Sequence, residues 1–223
     1  MCGRFARTSN EDKLQARFGF DDPLGILLEP RYNIAPTQMH PVVIVESDHR
    51  VLKLMKWGLV PFWAKDTNIG YKMINARAEG IESKPSFREP FKKRRSLVLA
   101  DGFYEWKKLG TKTKVPHFIK LKSGEPFAFA GLWDKWDKEE EPLETFTIIT
   151  TDNNELIKPI HNRMPVILHQ RDEAVWLDPE LRDPEKLIPL LKPYPSDDME
   201  MYEVSTIVNS PKNDVPECIK PSA

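Results

Sequence analysis

The residue of greatest chemical interest is Cys2, because it directly follows the initiator Met1. A second residue as small as cysteine permits removal of the initiator methionine, which would leave a 1,2-aminothiol at the new N terminus. An α-amine titrates near about pH 8 and a free thiol near about pH 8.5, so part of the amine is unprotonated at neutral pH. Such an amine can condense with an aldehyde, and the adjacent thiol can close on the imine to form a thiazolidine. The alternative interpretation is a small buried residue at the start of the chain.

The overall charge excludes a general attraction to polyanions. The 223 residues carry 33 Lys and Arg against 34 Asp and Glu, a formal net charge of −1. Any nucleic-acid site must therefore be local. The basic run at residues 92–95 fits a solvated loop as well as it fits phosphate contact, since isolated charge runs are usually exposed.

The cysteine count and the apolar runs exclude several classes of protein. Cys2 and Cys218 stand at opposite ends of the sequence, so they form neither a disulfide framework nor a zinc ligand set of the usual spacing. We expect no metal and no other cofactor. No run of about 18 apolar residues and no signal peptide is present, which predicts a cytoplasmic protein with no membrane partner.

The elements that must position any site are mostly strands. We predict a helix from Ser9, as its cap, to Phe20, and a hairpin of 41–45 with 51–54 around a turn at 47–49. Further strands are predicted at 96–100, 103–106, 117–121, 127–132, 145–150 and 202–205, and short helices at 154–159, 170–177 and 184–191. This pattern favours the α+β class, with one domain over residues 1–223, a largely antiparallel, barrel-like sheet and a few short peripheral helices. From about residue 211 we expect an irregular surface tail.

Several sequence blocks occur together in one order along the chain. They are MCGRF at 1–5, RYNIAPT at 31–37, WGLVPFW at 57–63, INARAE at 74–79, ADGFYEW at 100–106 and IHNRMP at 160–165, followed by Val204-Ser205 and Val208-Asn209. As a set, these motifs closely resemble the SOS-response-associated peptidase (SRAP) family. The resemblance covers nearly the whole sequence.

What the resemblance implies is a β-rich SRAP domain that senses abasic sites in single-stranded DNA. Such a protein becomes covalently attached to the DNA through its N-terminal cysteine. Apart from the resemblance, we take a monomer as the default and expect association with a bacterial-type nucleoid when the protein is bound to DNA. The peptidase name refers to removal of the initiator methionine and to self-release, and an abasic-site lyase or crosslink-reversal activity is also implied. The matching positions place Cys2, Asn75, Glu105 and His161 in the reaction centre.

Elementary chemistry supports these roles. An abasic site is mostly a closed hemiacetal, so ring opening needs one proton donated to the ring oxygen and one removed from the hydroxyl. Histidine titrates near neutrality and suits His161 to that work, and Glu105, flanked by two aromatic residues, could have its pKa raised by desolvation. The amide of Asn75 can donate and accept at once. Each residue alone could instead be structural.

Polar and aromatic residues around these blocks are candidate DNA contacts. Arg77 lies two positions after Asn75 and would share its face on a strand, within reach of a phosphate. Because bases stack on aromatic faces, the rings of Trp63 and Tyr71 are expected to face DNA. Trp57 is expected to lie in the core. The predicted DNA contacts are Arg4, Asn33, Pro36, Thr37, Trp63, Tyr71, Arg77 and Arg163.

Two other functions remain open from the sequence. Glutaminase domains of one amidotransferase class also begin with Met-Cys-Gly and use the thiol on an amide, although their Asn-Gly oxyanion element does not occur here. The other possibility is a single-strand binding module that makes no covalent bond, in which the aromatic residues and arginines matter and Cys2 does not.

Overall fold

The computed structural model describes residues 2–110 and 113–222, most of which lie in or between short strands. The strands formed there are β1 Phe5–Arg7, β2 Arg31–Ile34, β3 Met39–Glu46, β4 His49–Trp57, β5 Asn75–Arg77, β6 Arg95–Ala100, β7 Gly102–Leu109, β8 Thr113–Leu121, β9 Phe127–Trp136, β10 Leu143–Asp152, β11 Arg163–Pro165 and β12 Met199–Glu203. The helices are α1 Glu11–Phe18, α2 Arg88–Lys93, α3 Gln170–Leu177 and α4 Pro184–Leu187, with 3-10 turns at Thr67–Lys72, Ile188–Leu190, Ser196–Asp198, Thr206–Asn209 and Pro216–Ile219.

Five strands close into a barrel. Their order is β10-β4-β3-β6-β9, and β9 pairs back with β10. Within this ring only β4 and β10 are parallel, and β5 extends β4 along the same edge of β10. The neighbours β3–β4 and β9–β10 are antiparallel hairpins with short connections, and β6 pairs antiparallel with both β3 and β9. The predicted α+β fold with a largely antiparallel, barrel-like sheet is confirmed.

A second, antiparallel sheet of order β12-β8-β7-β1-β2 packs on the barrel. Phe5 of β1 shows how the two are joined, since its ring makes edge contacts with Trp57 and Phe129 of the barrel at centroid distances of 5.1 and 5.7 Å. Full burial of one phenylalanine contributes about 1.5–3 kcal/mol. This contact holds the N-terminal strand, and therefore Cys2, at the junction of the two sheets.

The short helices cover another cluster of barrel side chains, which includes Val43 and Leu97. Trp176 of α3 is fully buried there, and its Nε1 donates to Ser96 O at 3.1 Å. Helix α3 has the predicted bounds, whereas α4 ends early and continues as a 3-10 turn. Among the described residues, no helix is both long and apolar enough to cross a membrane.

Two local predictions need correction. Helix α1 is capped by Asn10, whose side chain accepts from Lys13 N, because Asp101 binds the hydroxyl of Ser9. Residues 154–159 form turns instead of a helix.

The C-terminal segment from residue 211 is mostly exposed and is attached to the rest of the fold at a few points. It contains the 3-10 turn Pro216–Ile219, in which Cys218 is fully buried, and Pro221 forms a bridge with Val204. Asp214 pairs with the Arg31 side chain and accepts the backbone N–H groups of Tyr32 and Asn33. These acceptors and the burial of Cys218 fix the segment against β2.

Gly102 provides a test of the packing between β7 and β8. A Cβ there would lie 2.2 Å from Cζ of Phe118, which is itself buried. We expect Gly102→Ala to lower the free energy of unfolding by about 1–3 kcal/mol through overpacking, measured by urea denaturation. Because Phe118→Leu removes the clashing atoms, Gly102→Ala/Phe118→Leu should be less destabilised than the sum of the single variants; strict additivity would contradict this explanation.

Candidate active site

Cys2 is completely buried beside the strand that carries Glu105. Strand β1 pairs with β7 through Phe5 and Phe103, and Tyr104 N–H donates to Arg4 O at 3.0 Å. This pairing brings the start of the chain alongside β7, where Glu105 directly follows Tyr104. Cys2 Sγ makes one long contact, 3.9 Å, with Arg4 O.

Asn75 reaches Cys2 from the barrel. It opens β5, which lies parallel to β10 with Asn75 opposite Ile148. Its Nδ2 donates to the carbonyl of Cys2 at 2.8 Å, whereas its buried Oδ1 accepts from no residue that the structure describes. One end of the amide thus fixes the main chain of Cys2, and the other end is an acceptor within the site.

Glu105 is 5% exposed and acts electrostatically on Cys2. Burial, and then the negative charge of Glu105, raise the pKa of the Cys2 thiol far above its ordinary value. The sulfur is therefore a neutral thiol at physiological pH.

His161 is half-buried and held by the backbone of Arg163. Its Nδ1 lies 3.0 Å from both the N–H and the C=O of that residue. These two contacts need opposite states of Nδ1: the N–H requires an unprotonated acceptor, and the carbonyl requires a donor. The same main chain can therefore support the imidazole before and after it takes up a proton.

Glu105 and His161 line one cleft of about 430 Å³, together with Trp106, Lys108, Lys114 and Asn209. The four residues predicted for the reaction centre are thus linked: Asn75 binds Cys2, the charge of Glu105 acts on Cys2, and Glu105 shares the cleft with His161.

The predicted aromatic contacts lie on the surface. The side chains of Trp63 and Tyr71 are 43% and 66% exposed, whereas Trp57 is buried in the core as predicted. The segments that carry the two exposed rings meet where the backbones of Gly58 and Gly70 touch, and a Cβ on Gly58 would lie 2.7 Å from Gly70 O. A side chain at Gly58 would not fit this close approach of the two backbones.

Three smaller predicted contacts have mixed positions. Arg77 is exposed and follows the buried Ala76 on β5. The prediction that Arg77 shares a face with Asn75 required a strand there, and β5 is that strand. Thr37 is exposed, with a positive φ of 72°, and its N–H donates to Trp57 O at 2.8 Å. Pro36 is half-buried.

Arg4 is half-buried and Asn33 is buried, and the polar groups of both bind other parts of the chain; their DNA contacts stay predictions. Asn33 is fully buried and donates to the carbonyls of Val208, Ser210 and Asn213. Arg4 donates to Asn33 Oδ1 at 2.6 Å and to Val208 O at 2.7 Å. Their polar groups bind the C-terminal segment, so in this structure they position the wall of the cleft.

Arg163 is also used internally. Its side chain is 10% exposed, and its guanidinium makes a two-pronged ion pair with Glu79 at 2.6 and 2.9 Å and contacts Asp152 at 3.1 Å. Its backbone holds His161. In this structure Arg163 therefore has a positioning role, and its phosphate contact stays a prediction.

Comparison with known proteins identifies the family. Residues 1–211 match the model of the SOS response associated peptidase (SRAP) family. The chain belongs to the SRAP family.

Relatives of this SRAP protein span its full length. It is 52% identical to the abasic site processing protein YoqW of Bacillus subtilis, over 99% of both chains. It is 34% identical to the abasic site processing protein HMCES of Gallus gallus, over 99% of this chain and 78% of that protein. A crystal structure of a protein from Bacteroides thetaiotaomicron superimposes with a TM-score of 0.90 at 34% identity and covers all of both chains.

Sequence reasoning missed the rim of the SRAP cleft. Lys108 and Lys114 gave no local signal, because they become neighbours only when β7 pairs with β8. Asn209 lay in a recognised step of the sequence, but its partner Trp106 stands 103 positions earlier, and their bond of 2.7 Å depends on the docked C-terminal segment.

The state of the thiols predicts slow alkylation. Burial raises the pKa of both Cys2 and Cys218, and both side chains are inaccessible. Since the thiolate is the reactive form, iodoacetamide at pH 8 should modify the folded SRAP protein far more slowly than the guanidinium-unfolded chain. Mass spectrometry over time measures both rates; rapid modification of Cys2 in the folded protein would show an exposed thiolate.

Proposed function

We propose that this SRAP protein processes abasic sites in single-stranded DNA and becomes covalently linked to them through Cys2. The convergence of Asn75 and Glu105 on the buried Cys2 is the observation that carries the proposal. The names of YoqW and HMCES as abasic site processing proteins point to the same substrate.

The reaction proceeds in two bond-forming steps after Met1 has been removed. The free α-amine of Cys2 adds to the C1′ aldehyde of the opened sugar, and loss of water gives an imine. The thiol then adds across the imine: sulfur bonds to C1′, and the thiol proton is transferred to nitrogen. The neutral thiol that burial and Glu105 enforce supports this order, because it leaves the amine as the first nucleophile and keeps a proton for the second step.

Glu105 and His161 supply the proton transfers. Opening the hemiacetal needs an acid and a base on the two oxygens of the sugar, and both side chains line the cleft beside Cys2. The paired contacts of His161 Nδ1 with Arg163 support the ring in either protonation state. The same groups, run in reverse, would release the adduct, and elimination from the imine accounts for a lyase activity.

Surface aromatic rings would hold the DNA strand. Base stacking on an exposed ring contributes about 1–3 kcal/mol with little sequence dependence, which suits Trp63 and Tyr71. Arg77, exposed on the strand that begins with Asn75, is placed for a phosphate next to the reacting sugar.

An amidohydrolase that attacks with its thiol is less well supported. That chemistry needs a thiolate, or a thiol that the α-amine readily deprotonates. Burial and the charge of Glu105 both favour the protonated thiol of Cys2 instead. A binding module without covalent chemistry would leave unexplained the hydrogen bond of Asn75 to Cys2 and the charge of Glu105 that acts on its thiol.

The test is a denaturing gel of protein with Met1 removed, incubated with a single-stranded oligonucleotide that bears one abasic site. We expect a heat-stable shifted band that is lost in Cys2→Ala and kept in Cys218→Ala, which removes the other buried thiol. Mass spectrometry verifies that each variant has lost Met1. Glutaminase activity without a band, or a salt-sensitive complex without a band, would overturn the proposal in favour of one of the two alternatives.

A further inference from the structure

Two lysines face each other at the rim of the cleft. Lys108 on β7 is the cross-strand partner of Lys114 on β8, and both are exposed. Like charges directly opposite one another destabilise a strand pair. Within residues 2–110 and 113–222, neither lysine forms an ion pair, although six of the lysines there do.

Asn209 presents a hydrogen-bond donor at the same rim. Indole Nε1 can only donate, and Trp106 Nε1 lies 2.7 Å from Asn209 Oδ1, which fixes the orientation of the amide. The amide nitrogen is then the free end, and it donates to no described residue. The guanidinium of Arg4 lies 5.8 Å from the centre of the Trp106 ring on this wall.

We propose that Lys108, Lys114 and Asn209 form a phosphate-binding subsite for the DNA backbone beside the reacting nucleotide. This inference rests on the proposed function, because the same cleft contains Glu105 and His161. Two ammonium groups would neutralise one phosphodiester, and the Asn209 amide would bond a phosphate oxygen. The ligand also explains the cross-strand lysine pair, since a bound anion turns the repulsion between the two charges into shared attraction.

The subsite is tested by equilibrium binding that needs no covalent chemistry. The probe is a fluorescent single-stranded oligonucleotide with a tetrahydrofuran abasic analogue, which lacks the aldehyde, titrated at several salt concentrations. Lys108→Gln/Lys114→Gln should bind about three- to tenfold more weakly at low salt, and its salt slope should fall by about 0.7, the value for one phosphate contact on a single strand. Asn209→Ala should weaken binding without changing the slope.

Matched controls separate a subsite from general charge. Lys186→Gln/Lys192→Gln removes two exposed charges around α4 and should leave the slope unchanged. Lys108→Arg/Lys114→Arg should retain wild-type affinity. Equal slopes for the two Gln double variants would overturn the subsite.

A second readout distinguishes this inference from the proposed function. Free 2-deoxyribose carries the aldehyde without a phosphate, so its adduct with Cys2, followed by mass spectrometry, should form at the wild-type rate in Lys108→Gln/Lys114→Gln. A slower reaction would overturn the subsite, because the lysines would then act on the chemistry. If the wild-type protein forms no adduct with free 2-deoxyribose or with the abasic oligonucleotide, the proposed function fails. The salt titration still decides whether the subsite exists.

Discussion

Cys2→Ser is expected to convert a durable adduct into a labile one. Serine at the second position still allows Met1 to be removed and leaves an α-amine, so the imine forms, but its hydroxyl closes on the imine far less well than a thiol does. The heat-stable band should fall from the major product to undetectable. In its place, borohydride should trap the imine, and the untreated DNA should show strand scission by elimination.

The measurement compares denaturing gels with and without borohydride for both proteins. Cys218→Ser serves as the control, since it makes the same substitution at the other buried cysteine, whose Sγ donates a hydrogen bond to Asn213 O at 3.3 Å. An equally heat-stable band from Cys2→Ser would contradict the thiazolidine mechanism and assign the linkage to the amine alone.

Glu105→Gln should slow adduct formation by about a hundredfold or more, the usual size of a general acid-base contribution. The variant keeps the shape of a side chain that is 5% exposed, so binding of the tetrahydrofuran oligonucleotide should be nearly unchanged. A large loss of binding would show that Glu105 is structural.

The electrostatics of Glu105 make this test discriminating. Its charge raises the pKa of the Cys2 thiol, so Glu105→Gln lowers that pKa and increases the thiolate fraction at any given pH. If Glu105 acted only through this field, the rate of adduct formation would stay nearly unchanged, because burial by itself keeps the thiol protonated; the acid-base role predicts a large decrease. Glu203→Gln is the matched control. His117 on β8 has Glu105 of β7 as its partner on one side and Glu203 of β12 on the other, but Glu203 does not line the cleft.

The pattern of apolar residues in the sequence predicted much of the fold. Alternating apolar runs predicted β3, β4, β6, β9 and β10 in nearly their observed places, since side chains alternate between faces along any strand. The hairpin turn at Ser47 and Asp48 has two positive φ angles, 48° and 65°, as a tight two-residue connection requires. The closing of the barrel by pairing of β9 with β10 and of β10 with β4 was not readable, because pairing partners are chosen by tertiary packing.

The sequence by itself determined the chemistry available at Cys2 and, through its ordered blocks, the family. Tertiary structure alone decided how the polar residues around Cys2 are used. Arg163 looked like a phosphate ligand, but its partner Glu79 lies 84 positions away, and the fold brings that carboxylate within 2.6 Å. Asn33 similarly binds carbonyls of a C-terminal segment more than 170 positions distant. Residue type fixes what a side chain can bind, whereas the long-range packing of the chain fixes which acceptor, charge or solvent it meets.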